Sequence, residues 1–138
     1  MARRGDHLRS VPLFAACTDR ELARIDQSVD ELDVVAGTVL TNQGDIGREA
    51  FIVVSGTASV VRDGVEVATV GPGAQIGELA LLDGGPRSAT VTATTDMSLL
   101  ILSKGAFNGV LDEIPILAHR IAVELARRLR AVEDSTYQ

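Results

Sequence analysis

Apolar positions change their spacing twice along the chain. Within residues 8 to 30, Leu22, Ile25 and Val29 recur at intervals of three and four, which predicts a helix with one buried face. Thr18 and Glu21 stand three apart, the spacing at which a hydroxyl and a carboxylate cap a helix start reciprocally, so the helix is expected to run from there to Val29. Ahead of it, Val11-Pro12-Leu13-Phe14 reads as a short apolar turn that docks on a core. From 31 to 103 the rhythm becomes that of β structure. Short apolar runs (Leu32–Val35, Val39–Thr41, Ala50–Val54, Ala58–Arg62, Val65–Val70, Ala89–Ala93 and Ser98–Leu102) alternate with glycine-bearing or polar turns. Asp63-Gly64 between two valine-rich runs signals a tight hairpin, and many short strands in succession predict a roll or sandwich. From 104 to 133 the helical period returns. Ser103 is placed to cap a short helix over Lys104–Leu111, and Pro115 to open a longer one over Ile116–Val132. On the longer helix Leu117, Ile121, Leu125, Leu129 and Val132 form a stripe whose simplest reading is core packing, while Glu124 and Arg128, four apart, are spaced for a surface pair.

The 138 residues fit a single domain, and no linker or internal repeat divides them. Hydrophobic residues make up 46% and charged residues 23%, enough for an ordinary core. Aromatics are only 3%, so that core must come from Val, Ile, Leu and Ala. A net charge of −6 argues against a general binder of DNA, RNA or anionic membranes. Cys17 is the only cysteine, which excludes an internal disulfide and fits a reducing, cytoplasmic setting; its apolar surroundings read as those of a small buried hydrophobe. The start Met1-Ala2-Arg3-Arg4-Gly5-Asp6-His7 has charges with no apolar run behind them, so no signal peptide is expected, and no segment nears the roughly 18 apolar residues of a membrane span. His7 and His119 sit at opposite ends and the β region has no histidine, so neither a metal-dependent barrel enzyme nor a Ser/His/Asp or Cys/His nucleophile is supported. No enzyme and no metal are expected.

One stretch breaks the β rhythm: Ile76-Gly77-Glu78-Leu79-Ala80-Leu81-Leu82-Asp83-Gly84-Gly85-Pro86-Arg87-Ser88-Ala89-Thr90-Val91. Gly77 permits a tight turn and close approach to the main chain. Glu78–Leu82 has the length of one helical turn, whose first N–H groups suit an anion. Arg87 is a charge followed at once by a run expected to be buried, so it needs a counter-charge. A phosphate would meet that need through the guanidinium fork, and Glu78 could accept from a sugar hydroxyl. The competing reading is that Glu78 and Arg87 pair with each other and merely hold a loop.

Gly77-Glu78-Leu79-Ala80 and Pro86-Arg87-Ser88-Ala89 closely resemble the phosphate-binding cassette of the cyclic nucleotide-binding domain family, which includes the catabolite activator protein, the protein kinase A regulatory subunit and cyclic nucleotide-gated channels. The likeness extends to Val11–Phe14, Gly44-Asp45, Phe51–Gly56 and Ala106-Phe107 through Arg130. It implies a mainly β fold with flanking helices: an eight-stranded antiparallel β-roll (double-stranded β-helix or jelly roll) over 31–103, with the cassette at 76–90, an N-terminal helical segment at 8–30 and two C-terminal helices over 104–133, the last a lid. It also implies roles. Arg87 would pair with the cyclic phosphate and Glu78 would accept from the ribose 2′-hydroxyl. Gly77, Leu79, Ala80 and Ala89 would supply backbone shape or N–H donors, Ser88 would reach the phosphate or the purine, and Ile76 is counted among the binding residues. Val60 would line the roll beneath the base, and Leu125, Arg128 and Leu129 are the candidates on the lid. The implied ligand is a cyclic nucleotide, with cAMP favoured over cGMP because nothing else in the sequence is built to bond guanine edges. Transcription-regulating members carry a helix-turn-helix domain after the long helix; here only a polar tail follows. The expectation is therefore a stand-alone sensor that acts on an effector protein, with no DNA, RNA or membrane partner and with a homodimer allowed. The alternative is an orphan member whose pocket is unused and which serves as a scaffold or dimerisation module.

Overall fold

The capping signals seen in the sequence form as expected. In this computed structural model, which describes residues 4–136, Thr18 is the N-cap of helix α2 (Asp19–Asp26), and its side chain accepts from the Glu21 backbone N–H while Glu21 reaches back to Thr18 N. Before α2 come α1 (Arg4–Arg9) and a 3-10 turn over Pro12–Phe14 that buries Leu13 and Phe14. Helix α1 was not legible in the sequence: it is short and polar, and Leu8 is its one fully buried anchor. Helix α2 stops three residues short of Val29, because the chain then extends into strand β1 (Asp30–Val34).

The strands that follow are β2 (Val39–Thr41), β3 (Glu49–Ser55), β4 (Ala58–Arg62), β5 (Val65–Val70), β6 (Gln75–Ile76), β7 (Thr90–Ala93) and β8 (Met97–Ser103). The single-turn helix α3 (Ala80–Asp83) lies between β6 and β7. Helices α4 (Lys104–Glu113) and α5 (Pro115–Thr136) come last. The Ser103 hydroxyl caps α4 by accepting from Ala106 N at 3.0 Å, and Pro115 opens α5.

The strands form two four-stranded antiparallel sheets, ordered β1-β8-β3-β6 and β2-β7-β4-β5. This is the eight-stranded roll. The β4–β5 hairpin turns at Asp63-Gly64, both with positive φ, as a two-residue turn that matches strand twist requires. Between the sheets Phe51, Val53, Ala58, Ile76, Val91, Ala93, Met97 and Leu99 make one buried cluster. Strand β6 was missed from sequence because two residues carry no alternation to read. It is set by pairing of Phe51 with Ile76 and Ile52 with Gln75.

The chain divides into two compact units, Ser28–Asn108 and the two ends, Met1–Gln27 with Gly109–Gln138. In the second unit α1 packs on α2, and the 3-10 turn packs on α5. Leu117 and Ile121 of the α5 stripe are buried, whereas Leu129 and Val132 are exposed. Glu21, itself buried, pairs with Arg120, and Arg24 pairs with Glu113, holding that carboxyl below the usual range. The predicted Glu124–Arg128 surface pair does not form; Glu124 accepts from Arg127 at 3.2 Å instead, one residue closer along the helix.

Candidate functional site

A cavity of about 350 Å3 opens in the Ser28–Asn108 unit. Its apolar lining includes Val60, Val70, Ile76, Ala89 and Val91, and its polar lining includes Thr41, Arg62, Gln75, Glu78, Asp83, Arg87 and Ser88. Gly77, Leu79 and Ala80 complete the set of cassette positions singled out in the sequence.

Arg87 is fixed at both ends of its side chain. Its backbone N–H donates to the Asp45 carbonyl at 2.7 Å, and its own carbonyl accepts from Gly44 N at 2.9 Å. A further bond from Gly47 N to Gly85 O and a bridge between Ile46 and Pro86 zip this turn onto the segment returning from α3. Gly44-Asp45, one of the stretches through which the likeness extends in the sequence, thus anchors the arginine.

The guanidinium is buried, with the side chain 6% exposed. It is threaded between two glycines. A Cβ on Gly77, whose φ is +72°, would stand 2.0 Å from Arg87 Nη1, and one on Gly47 would stand 3.1 Å from Nε and 2.7 Å from Ala80 Cβ. Only a residue without a side chain fits at either place.

The counter-charge is not Glu78. Arg87 Nη2 donates to Glu49 Oε1 at 3.0 Å, so the competing reading of a Glu78–Arg87 loop pair is corrected. Glu49 opens β3, 38 residues away in sequence, and strand spacing gave no sign of it. The pairing is incomplete: Arg87 Nη1 is buried and has no hydrogen-bond partner among the described residues. A buried donor left in that state is costly in the empty site and available to an added acceptor.

Glu78 lines the same cavity, half-buried, freed from the loop-pair role. Its backbone carbonyl accepts from Leu81 N at 3.2 Å, which starts the single turn that leads into α3. Ser88 is exposed; its carbonyl accepts from Arg62 Nε at 3.2 Å, while the carbonyl of buried Ala89 takes the Thr41 hydroxyl at 3.0 Å. Arg62 and Gln75 were missed as site residues, since in sequence they read only as the polar end of one strand and a loop position. Their presence in the lining removes the premise that nothing but Ser88 could bond a guanine edge. Val60 faces Val91 across the β4–β7 ladder, which puts both on the cavity side of the sheet. Arg128 belongs to the other compact unit, on α5, where it is half-buried and its Nη1 has no hydrogen-bond partner among the described residues. The cavity lining comes from the Ser28–Asn108 unit alone.

Chemically the cavity lining offers a buried cation with an unpartnered donor, a carboxylate acceptor and an apolar bed. Among the described residues there is no group of His, Cys, Asp and Glu suited to a metal, and no helix is long and apolar enough to cross a membrane.

Comparison with known proteins agrees with this layout. Residues 31–113 match the family model described as the cyclic nucleotide-binding domain. A cyclic nucleotide-gated potassium channel of Mesorhizobium japonicum is 38% identical over 122 residues, covering 84% of this chain and 34% of the channel. The cyclic AMP receptor protein of Thermus thermophilus is 38% identical over 102 residues, covering 70% of this chain and 47% of the receptor. The chain therefore spans less than half the length of either. Among solved structures, the N-terminal domain of a transcriptional regulator from Streptomyces coelicolor superposes with a TM-score of 0.85 at 40% identity, covering 94% of each chain. With the family model matched over most of the roll, and with an arginine held at the turn where the cassette motif puts one, the chain belongs to the cyclic nucleotide-binding domain family.

Proposed function

We propose that this chain is a non-catalytic sensor domain for a cyclic nucleotide, with cAMP ahead of cGMP. The observation that carries the reading is that Arg87, a residue of the cavity lining, has a buried guanidinium whose Nη1 is without a partner among the described residues. The phosphate of the ligand supplies the missing acceptor, in the fork geometry that suits arginine. Glu78 accepts from the ribose 2′-hydroxyl, which is free because the phosphate is closed onto the 3′ and 5′ oxygens. The purine lies on the bed of Val60, Val91 and Ile76, with Ser88 in reach of phosphate or base. The preference for cAMP rests on the similarity to a cyclic AMP receptor protein; Arg62 weighs the other way, since its donors suit the two acceptors of a guanine edge better than adenine.

The output is a population shift in the C-terminal helices, with Leu125, Arg128 and Leu129 of α5 as the lid residues, read by an effector protein. Such a shift requires the ligand to favour one arrangement over the other.

Titration calorimetry with cAMP and cGMP tests the reading. Saturable binding of one ligand per chain is expected, and Arg87→Ala should weaken it by about 2–5 kcal/mol, as for truncating one partner of a buried charge pair. Glu78→Gln should weaken it less and should lose discrimination against the 2′-deoxy analogue. Absence of heat with either nucleotide supports the scaffold alternative. An unchanged affinity in Arg87→Ala places the phosphate elsewhere.

A further inference from the structure

Glu49 has no part in the recognition scheme above. It does not line the cavity, its side chain is 34% exposed, and yet it is the residue that holds the buried arginine. We propose that Glu49 is a resident counter-ion that competes with the incoming nucleotide for Arg87, and so sets the affinity of the site. The proposal rests on the cyclic-nucleotide reading and deepens it.

A guanidinium taken out of water needs a negative partner even when no ligand is present. Glu49 supplies one, through a single bond from Nη2 at 3.0 Å. It does not supply the second bond of a full fork-on-fork pair, because Nη1 remains unpartnered. The Gly47 and Gly77 backbones close around the guanidinium, so it cannot swing out to find another partner. The arginine is thus oriented and half satisfied.

A phosphate that arrives at Nη1 brings a second negative charge to one cation. The two anions then sit within a few ångströms of each other across a partly dry guanidinium, and they repel. Wild-type affinity is lower than the arginine alone would give, in exchange for a stable empty site. Removing the charge of Glu49 while keeping its shape reverses both terms. Glu49→Gln retains an oxygen for Nη2 and should bind cAMP and cGMP more tightly, by roughly three- to tenfold at low salt, with the gain shrinking as salt screens the repulsion. The same variant should melt at a lower temperature without ligand, and the gap should narrow at saturating ligand.

The experiment pairs calorimetric titration of wild type and Glu49→Gln, at two salt concentrations, with ligand-free melting of both forms and of each combined with Arg87→Gln. Tighter, salt-sensitive binding and a melting penalty that vanishes in the Arg87→Gln background support the proposal. Equal or weaker binding by Glu49→Gln overturns it, as does a melting penalty that persists without Arg87. If wild type binds neither nucleotide, the functional reading fails and the competition fails with it. The melting cycle then still reports whether Glu49 neutralises Arg87, so the two failures are separable.

Discussion

Replacing Gly77 with alanine adds one methyl group at the most crowded point of the site. The new Cβ would lie 2.0 Å from Arg87 Nη1, 3.2 Å from Cζ and 3.4 Å from the Glu49 carbonyl oxygen. Non-bonded heavy atoms need about 3.5 Å, so the guanidinium has to retreat by roughly 1.5 Å. It cannot do so without lengthening its bond to Glu49 or leaving the wall of the cavity. In addition, a residue with a Cβ at φ +72° carries about 1–2 kcal/mol of backbone strain. In a domain of this size that strain alone lowers the melting temperature by roughly 3–10 °C. The displaced fork should lose a large part of the phosphate interaction, at least a tenfold drop in affinity, equivalent to about 1.4 kcal/mol. Calorimetry with the preferred cyclic nucleotide and a melting curve measure the two effects separately. In an Arg87→Ala background the same change should still lower the melting temperature but should cause little further loss of binding. A Gly77→Ala protein that binds with wild-type affinity would refute the idea that the guanidinium must lie against that backbone.

Two other outcomes follow from the second compact unit. Thr18→Ala removes the hydroxyl of the capping box and should lower stability by about 1 kcal/mol, read from denaturant midpoints at unchanged slope; a change within error would mean that the Glu21 half of the box suffices. Burial raises the Cys17 thiol to about 11, so it stays protonated and shielded at pH 8. A disulfide reagent should leave it unmodified in the native state and react promptly after unfolding, and fast native reaction would contradict its burial.

Most of the roll was readable because its strands announce themselves individually. Val39–Thr41, Ala58–Arg62 and Val65–Val70 carry their own apolar runs and end on turn residues, and the structure keeps those bounds. Elements defined by a partner rather than by their own residues were not readable. Two-residue β6 exists only because β3 offers it a ladder, and α1 has a single buried leucine to mark it. The site divides in the same way. Glycine, glutamate and arginine at the cassette spacing could be seen because they lie within one short segment. Glu49 could not, because a counter-ion delivered by a strand 38 residues distant leaves no local pattern. The expected Glu124–Arg128 pair failed for a related reason: spacing of four permits a bond, but Arg127 took the same carboxylate first.

The seam between the Asn42–Gly47 turn and the segment returning at Gly85–Arg87 bears on which length changes this chain can tolerate. Surface turns usually accept an extra residue with little effect. This one is stitched by consecutive main-chain bonds to the very residue whose head group must emerge at the right depth. Inserting a single amino acid there would slide the stitches by one place and rotate the anchored arginine with them. A stretch that reads as an ordinary loop is therefore as intolerant of length variation as the strands it joins.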